Sequence, residues 1–210
     1  QRAPAGPDAS PWSDAQMAKL RKETQDVLAE LLEVQERLEE RGVQRWAAEQ
    51  FAEVAAIATA GDELYRSREY AQAKERYQDG LKQLQALEAG IPAELARQLA
   101  LANEALESGD IEQATSALDM ADAIEAGNAE AAALRQRGDA LPQLLGLLES
   151  AAQAEDSGDY ETAIAQLKEA VALDPLHKRS SSELERVSAA YQELQFNDAM
   201  TEGYTALDAN

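Results

Sequence analysis

The chain has 210 residues, of which 45% are hydrophobic and only 5% aromatic, and its formal net charge at pH 7 is −21. There is enough apolar material for a core, while the negative charge argues against nucleic acid and anionic membranes as partners. The absence of cysteine excludes disulfides, thiolate metal sites and cysteine nucleophiles. Much of the apolar content is Ala and Leu, without alternating Val/Ile/Thr runs, which predicts a soluble protein of the all-α class.

Residues 1–13 contain Pro4, Pro7 and Pro11 among small residues, a composition typical of a flexible linker. Such linkers commonly follow a membrane anchor or join domains. We therefore expect a periplasmic domain of an anchored bacterial protein in preference to a cytoplasmic protein. No run in the sequence approaches the length of a membrane span, so no insertion is expected within this chain.

A coiled-coil-like helix is predicted within residues 14–45, with Ser13 as its cap and Gly42 as its break. Its apolar positions alternate at spacings of three and four, beginning at Met17. Two alternatives follow. The helix packs back on the next helix, or it pairs two chains in a homodimer through its candidate oligomerisation residues, which are Leu20, Val27, Leu31, Val34 and Leu38.

Residues 46–175 are predicted to form three helical hairpins, and residues 176–210 a truncated fourth unit or a capping helix. Gly90 should end one helix and Pro92 should begin the next. Gly138 and Pro142 should kink or divide a later helix. The expected helices are 43–68, 70–90, 92–108, 111–127, 128–156, 160–174 and 182–208.

The three hairpins repeat a pattern of turn, small and bulky residues. The aligned turns are Arg68-Glu69-Tyr70, Gly109-Asp110-Ile111 and Gly158-Asp159-Tyr160. Three columns of small residues are Gly61, Ala102 and Ala151; Ala73, Ala114 and Ala163; and Gly80, Ala121 and Ala170. A column of bulky residues is Tyr77, Leu118 and Leu167. Small residues at fixed positions indicate helices that cross closely.

This pattern resembles the tetratricopeptide repeat family. The unit 144–175 matches it nearly throughout, the unit 95–126 lacks the aromatics and the closing Pro, and the unit 54–86 lacks the turn Gly. The resemblance implies antiparallel hairpins stacked as an α-solenoid. The family repeats about every 34 residues, whereas the equivalent alanines here are 41 and 49 residues apart, so longer helices or inserted turns are expected.

In that family, peptides bind the concave face formed by the first helix of each hairpin. Carried over position by position, the resemblance implies a partner-binding surface of Asp62, Tyr65, Arg66, Asn103, Leu106, Glu107, Leu148, Glu155, Asp156, Asn197, Met200 and Tyr204. Asn103 matches the Asn that holds the peptide backbone in chaperone-binding members, but the accompanying Lys and Arg that grip a terminal carboxylate are absent. Intramolecular packing is the alternative role for each position.

Motifs for catalysis, metal binding or phosphate binding are not found, and no cofactor or metal is expected. His177, the single histidine, is predicted to be an exposed loop residue without a catalytic role. Asp156 and Asp159 flank a turn Gly and are interpreted as a helix end and a helix cap, since the 12-residue calcium loop is missing.

The sequence therefore favours a non-enzymatic adaptor or scaffold that binds a protein or peptide. Residues 88–161 contain 16 acidic residues against three arginines, so a groove there would be acidic and would attract a basic partner. The alternatives are a structural or oligomerisation element, and an accessory region of a larger membrane-anchored protein or enzyme.

Overall fold

The computed structural model describes residues 10–208 of the chain. In that range the predicted all-α class is confirmed, since the regular elements are all helices and no described residue lies in a β-strand. The helices are α1 (Pro11–Glu40), α2 (Val43–Trp46), α3 (Ala48–Arg66), α4 (Tyr70–Ser108), α5 (Ile111–Ile124), α6 (Ala129–Asp156), α7 (Tyr160–Leu173) and α8 (Lys178–Asp208). Most of the predicted linker lies outside the described residues, and its last three residues belong to α1.

The helices divide into two compact units. Unit 1 holds α1 to α3, α4 up to Arg97 and the end of α5 from Met120. Unit 2 holds α4 from Gln98, α5 up to Asp119, and α6 to α8. Each unit has its own apolar core. Buried residues of unit 1 include Leu31, Val34, Leu38, Val54, Tyr77 and Leu84, and those of unit 2 include Leu106, Leu118, Leu144, Leu167 and Val187.

The three predicted hairpin turns have the same backbone conformation. Arg68, Gly109 and Gly158 have φ angles of 65°, 83° and 81°. After each of them, the next amide donates to the carbonyl oxygen five residues earlier, in the pairs Glu69–Leu64 (2.9 Å), Asp110–Ala105 (2.9 Å) and Asp159–Ala154 (2.8 Å). This bonding closes a helix end through a left-handed residue. The turn alignment is thus confirmed, even where Arg68 replaces glycine.

The small and bulky columns of the repeat all lie in the cores. Every residue of the four columns is buried. In the first hairpin the packing leaves no room for a methyl group, because a Cβ added to Gly61 would lie 2.6 Å from Cε1 of Tyr77. The corresponding positions of the other hairpins hold Ala and Leu. A larger ring in the first hairpin is therefore accompanied by the loss of a methyl group.

The predicted break at Gly90 and Pro92 is wrong, because α4 runs through both residues. Proline costs a helix interior about 3 kcal/mol or more. On the face of α4 that includes Ile91, Leu95 and Leu99, however, each of these side chains is at most 9% exposed. Burying each such side chain contributes about 1.5–3 kcal/mol, so the continuous apolar face outweighs the proline.

Of the two alternatives predicted at Gly138 and Pro142, division into two helices is wrong, since α6 is a single helix across both. Its buried face continues on both sides of them, at Ala131, Leu134, Leu141, Leu144, Leu148 and Ala151. Burial on one face again favours continuity over a break.

Local backbone geometry accounts for the remaining differences. Ser10, not Ser13, caps α1, since its Oγ accepts a hydrogen bond from the Ser13 amide at 3.2 Å. Gly42 ends α1 as predicted and has φ 64°. The predicted helix 43–68 is two helices, because Ala47 has φ −141° between α2 and α3. The last helix begins at Lys178 and not near Ser182.

Candidate protein-binding surface

The predicted partner-binding residues of unit 1 mainly hold its helices together. Asp62 Oδ1 accepts a 2.6 Å hydrogen bond from the Tyr77 hydroxyl. Burial and this bond raise the pKa of Tyr77 well above its usual range. The Tyr65 hydroxyl accepts hydrogen bonds from Arg21 Nε at 3.2 Å and from Gln25 Nε2 at 3.0 Å. Arg66 is exposed.

In unit 2, Arg137 forms hydrogen bonds with two of the residues that are predicted to bind a partner. Its guanidinium donates to Asp174 Oδ2 at 2.9 Å, Glu107 Oε1 at 2.7 Å and Asn103 Oδ1 at 2.6 Å. Glu107 also accepts a hydrogen bond from the Lys178 amide at 2.9 Å. Burial opposes the charge of Arg137, but the bonds to Asp174 and Glu107 outweigh it and raise its pKa. Asn103 and Glu107 thus hold α4 to α6 and to the start of α8.

His177 is not the exposed loop residue that the sequence predicted. It is 1% exposed and lies in the turn before α8. Its Nδ1 lies 2.7 Å from Ser180 Oγ and 3.2 Å from the Ser180 amide nitrogen. Because that amide can only donate, Nδ1 is an acceptor. His177 therefore has a packing role at the start of α8. Within residues 10–208, no group of three or more acidic or histidine side chains could hold a metal ion.

The other predicted residues on α4 and α6 are Leu106, Leu148, Glu155 and Asp156. Glu155 forms a bidentate pair with Arg186 on α8, at 2.8 and 2.6 Å. Leu106 and Leu148 are 1% and 7% exposed and belong to the core, although Leu106 also forms part of the floor of a cleft described below. Asp156 ends α6, and Asp159 caps α7 through the Thr162 amide, both as interpreted from the sequence.

The C-terminal end of α8 carries the other three residues that are predicted to bind a partner. Asn197, Met200 and Tyr204 are all exposed. The helix is held against α7 as far as Tyr191, whose ring stacks on Tyr160 with a centroid distance of 5.7 Å. Every residue from Gln192 to Leu207 is exposed.

The candidate oligomerisation residues are largely used within unit 1. Leu31, Val34 and Leu38 are at most 2% exposed, whereas Leu20 is 36% exposed, and Val27 is half-buried. Contacts along α1 explain this burial. They include Thr24 Oγ1 donating to the Tyr70 carbonyl oxygen at 2.9 Å, Lys74 with Glu23 at 2.7 Å, and Arg37 with Glu88 at 2.7 Å. Beyond Leu20, the seam that would pair two chains is therefore mostly covered by the chain itself.

A cleft between α5 and α6 is an open feature of unit 2 that the sequence did not single out as a site. Its volume is about 330 Å³, and its lining residues are Leu106, Ile111, Ala114, Thr115, Leu118, Arg135, Gly138, Asp139 and Pro142. The small residues Ala114 and Gly138 leave room for the cleft, and Leu106 and Leu118 form its buried floor. Ile111 is 42% exposed. The sequence signal is Gly138 in mid-helix, where the sequence predicts a kink or a division of the helix.

The rim of this cleft contains one carboxylate that is not neutralised. Arg135 pairs with Asp119 at 2.7 Å. Asp139 is exposed, and no hydrogen bond or ion pair links it to another described residue. An apolar floor beside a free negative charge suits an apolar side chain followed by a cation.

The chain matches no model of a known protein family, no curated protein and no solved structure. Among residues 10–208, no helix combines the length and apolarity needed to cross a membrane.

Proposed function

We propose that the chain is a non-enzymatic protein-binding scaffold, built as a solenoid similar to tetratricopeptide repeats, and that its α5–α6 cleft receives a segment of a partner protein. The segment would insert an apolar side chain and place a Lys or Arg beside Asp139. The scaffold part of this proposal is supported by the three equivalent turns and the four buried columns.

The observation that carries the binding proposal is the cleft itself. Its volume of about 330 Å³ lies at the lower end of the range for ligand sites, enough for one large apolar side chain. The acidic groups predicted from the sequence are poorer candidates, because Glu107 and Glu155 are already paired with arginines. Asp139 has no ion-pair partner among the described residues, and the net charge of −21 favours encounter with basic proteins.

Peptide display tests the proposal without a known partner. A random peptide library is selected on the whole wild-type chain, and the enriched peptides are then measured against two variants. Gly138→Met fills the cleft, because a Cβ at this position meets only Leu106 Cδ2, at an ordinary 3.6 Å. Gly146→Met is the matched control on the same helix, where a Cβ meets nothing within 4 Å.

We expect enriched peptides to share an apolar residue next to Lys or Arg. Their affinity should fall by about tenfold or more, 1.4 kcal/mol, on Gly138→Met and stay unchanged on Gly146→Met. Asp139→Asn should weaken binding and reduce its dependence on salt. Peptides that bind Gly138→Met as well as wild type, or that lack a basic residue, would place the binding surface elsewhere.

A further inference from the structure

Two exposed apolar patches lie at opposite ends of the sequence. The α1 patch consists of Trp12, Met17 and Leu20, which are 72%, 45% and 36% exposed. The α8 patch consists of Phe196, Met200, Tyr204 and Leu207, which are 64%, 40%, 61% and 73% exposed. Trp12 and Leu20 line one surface hollow on α1, and groups of exposed large apolar side chains mark interaction surfaces.

The α1 patch extends a face that is buried further along the same helix. At 3.6 residues per turn, Met17 and Leu20 lie on the side of α1 that carries Thr24, Leu31 and Leu38. Unit 1 covers this face only from Thr24 onward. The first turns of α1 therefore present a core-type stripe without a cover.

The α8 patch lies on the side of its helix opposite the packing face. Phe196, Met200 and Leu207 fall within about one sixth of the helix circumference, while Val187, which is 1% exposed, points the other way. Packing of α8 against α7 explains why Val187 and Tyr191 lie on the covered side of α8. It does not explain four large apolar side chains on the far side.

The segments around the two patches differ in charge. Residues 12–23 contain Lys19, Arg21 and Lys22 against Asp14 and Glu23, a net charge of +1. Residues 187–208 contain four acidic residues and no basic one. Pairing two α8 patches would therefore bring like charges together. The contact of an α8 patch with an α1 patch avoids this repulsion and buries apolar side chains of both.

We propose that copies of this chain associate head to tail, with the α8 patch of one copy packing on the α1 patch of the next. The exposed apolar area of the two patches together is on the order of 1,000 Å², which is the size of weak, transient contacts. The net charge of −21 on each copy also opposes association. The contact is therefore reversible and forms at high protein concentration. Since it joins different surfaces, a copy bound through one patch keeps its other patch for a further copy.

Sedimentation velocity on the whole chain tests this proposal at physiological salt, where long-range repulsion is screened over about 8 Å. Across about two decades of concentration, wild type should shift from monomer to dimer and larger species by mass action. A monomer throughout the range would overturn the proposal.

Two double variants disable one patch each at exposed positions. The first is Trp12→Gln with Met17→Gln on α1, and the second is Phe196→Gln with Leu207→Gln on α8. Each variant alone should stay monomeric, but their mixture should form a one-to-one dimer and nothing larger. Leu32→Gln, at a 52% exposed position elsewhere on α1, is the matched control and should associate like wild type.

Symmetric pairing gives a different pattern, in which one of the two double variants still self-associates and the mixture gains nothing. That result would overturn head-to-tail contact, as would association of both variants alone. Circular dichroism of each variant shows that the helices are retained.

Discussion

The close approach of Gly61 to Tyr77 makes a quantitative prediction about the first hairpin. Alanine is about 1 kcal/mol better than glycine in a helix interior. At Gly61, however, the added Cβ would lie 2.6 Å from the ring of Tyr77, and that ring is 1% exposed and tethered to Asp62. Overpacking of this kind costs about 1–3 kcal/mol. Gly61→Ala should therefore leave unfolding free energy unchanged or lower it by up to about 2 kcal/mol.

A double-mutant cycle separates the clash from helix propensity. Tyr77→Leu removes the ring and restores the residue type that the other hairpins use, so in that background Gly61→Ala should stabilise by about 1 kcal/mol. The coupling between the two sites should then be about 1–3 kcal/mol. Urea unfolding followed by circular dichroism measures each term. Gly90→Ala is the control, since a Cβ there meets nothing within 4 Å. Equal stabilisation by Gly61→Ala in both backgrounds would refute the packing argument.

Three further predictions concern single residues. Arg137→Met should cost about 3–5 kcal/mol of unfolding free energy, because the carboxylate of Asp174, which is 5% exposed, loses its charged partner. Arg135→Met, two positions away in an exposed ion pair, is the control and should cost about 1 kcal/mol or less. Similar urea midpoints for the two variants would contradict the role of the Arg137 cluster. Arg68→Gly should raise the melting temperature, because it removes the strain of a non-glycine residue in the left-handed region at φ 65°. The net gain in unfolding free energy should be up to about 1 kcal/mol after the entropy of glycine in the unfolded chain is subtracted. A lower melting temperature would contradict this reasoning. The Arg186 guanidinium holds the pKa of Glu155 below its usual range. The stability from this pair is therefore present above the pKa of Glu in the unfolded chain, about 4.3, and is lost as pH falls through the pKa of the folded state. Glu155→Gln should flatten the acid side of the profile of stability against pH, and an unchanged profile would show that the pair contributes nothing.

The sequence was sufficient for the helical class and for the hairpin turns, because these depend on local signals. A residue in the left-handed region, a following cap such as Asp159 and apolar positions at helical spacing identify a hairpin from a few neighbours. Even the turn at Arg68 was aligned correctly, because the residues around it kept the spacing of the repeat.

Helix continuity was less predictable, since it depends on burial along the whole face. Pro92 and Pro142 are local signals for a break, yet both lie inside single helices. The stabilisation that overrides them comes from the buried face of the whole helix, which includes Ile91, Leu95 and Leu99 around Pro92. The same limitation applies to His177, which was interpreted from its charged neighbours in sequence although its actual environment is a buried turn.

Charge pairing explains why the predicted binding surface differs from the candidate cleft. The sequence showed an acidic excess but not which carboxylates meet an arginine. Arg137 and Arg186 reach across helices to Glu107 and Glu155, so these acids stabilise the fold. Asp139 kept no such partner among the described residues. A distinction between paired and free acids requires the three-dimensional arrangement.

Hydrogen exchange on the whole chain, with and without a peptide selected on wild type, tests whether the α5–α6 cleft binds the partner. The peptide should slow exchange in the segments that line the cleft, residues 106–118 and 135–142. Gly138→Met should abolish this protection, while Gly146→Met should preserve it. Protection centred on α3 or on the end of α8, with no change in α5 and α6, would contradict the claim that the α5–α6 cleft binds the partner.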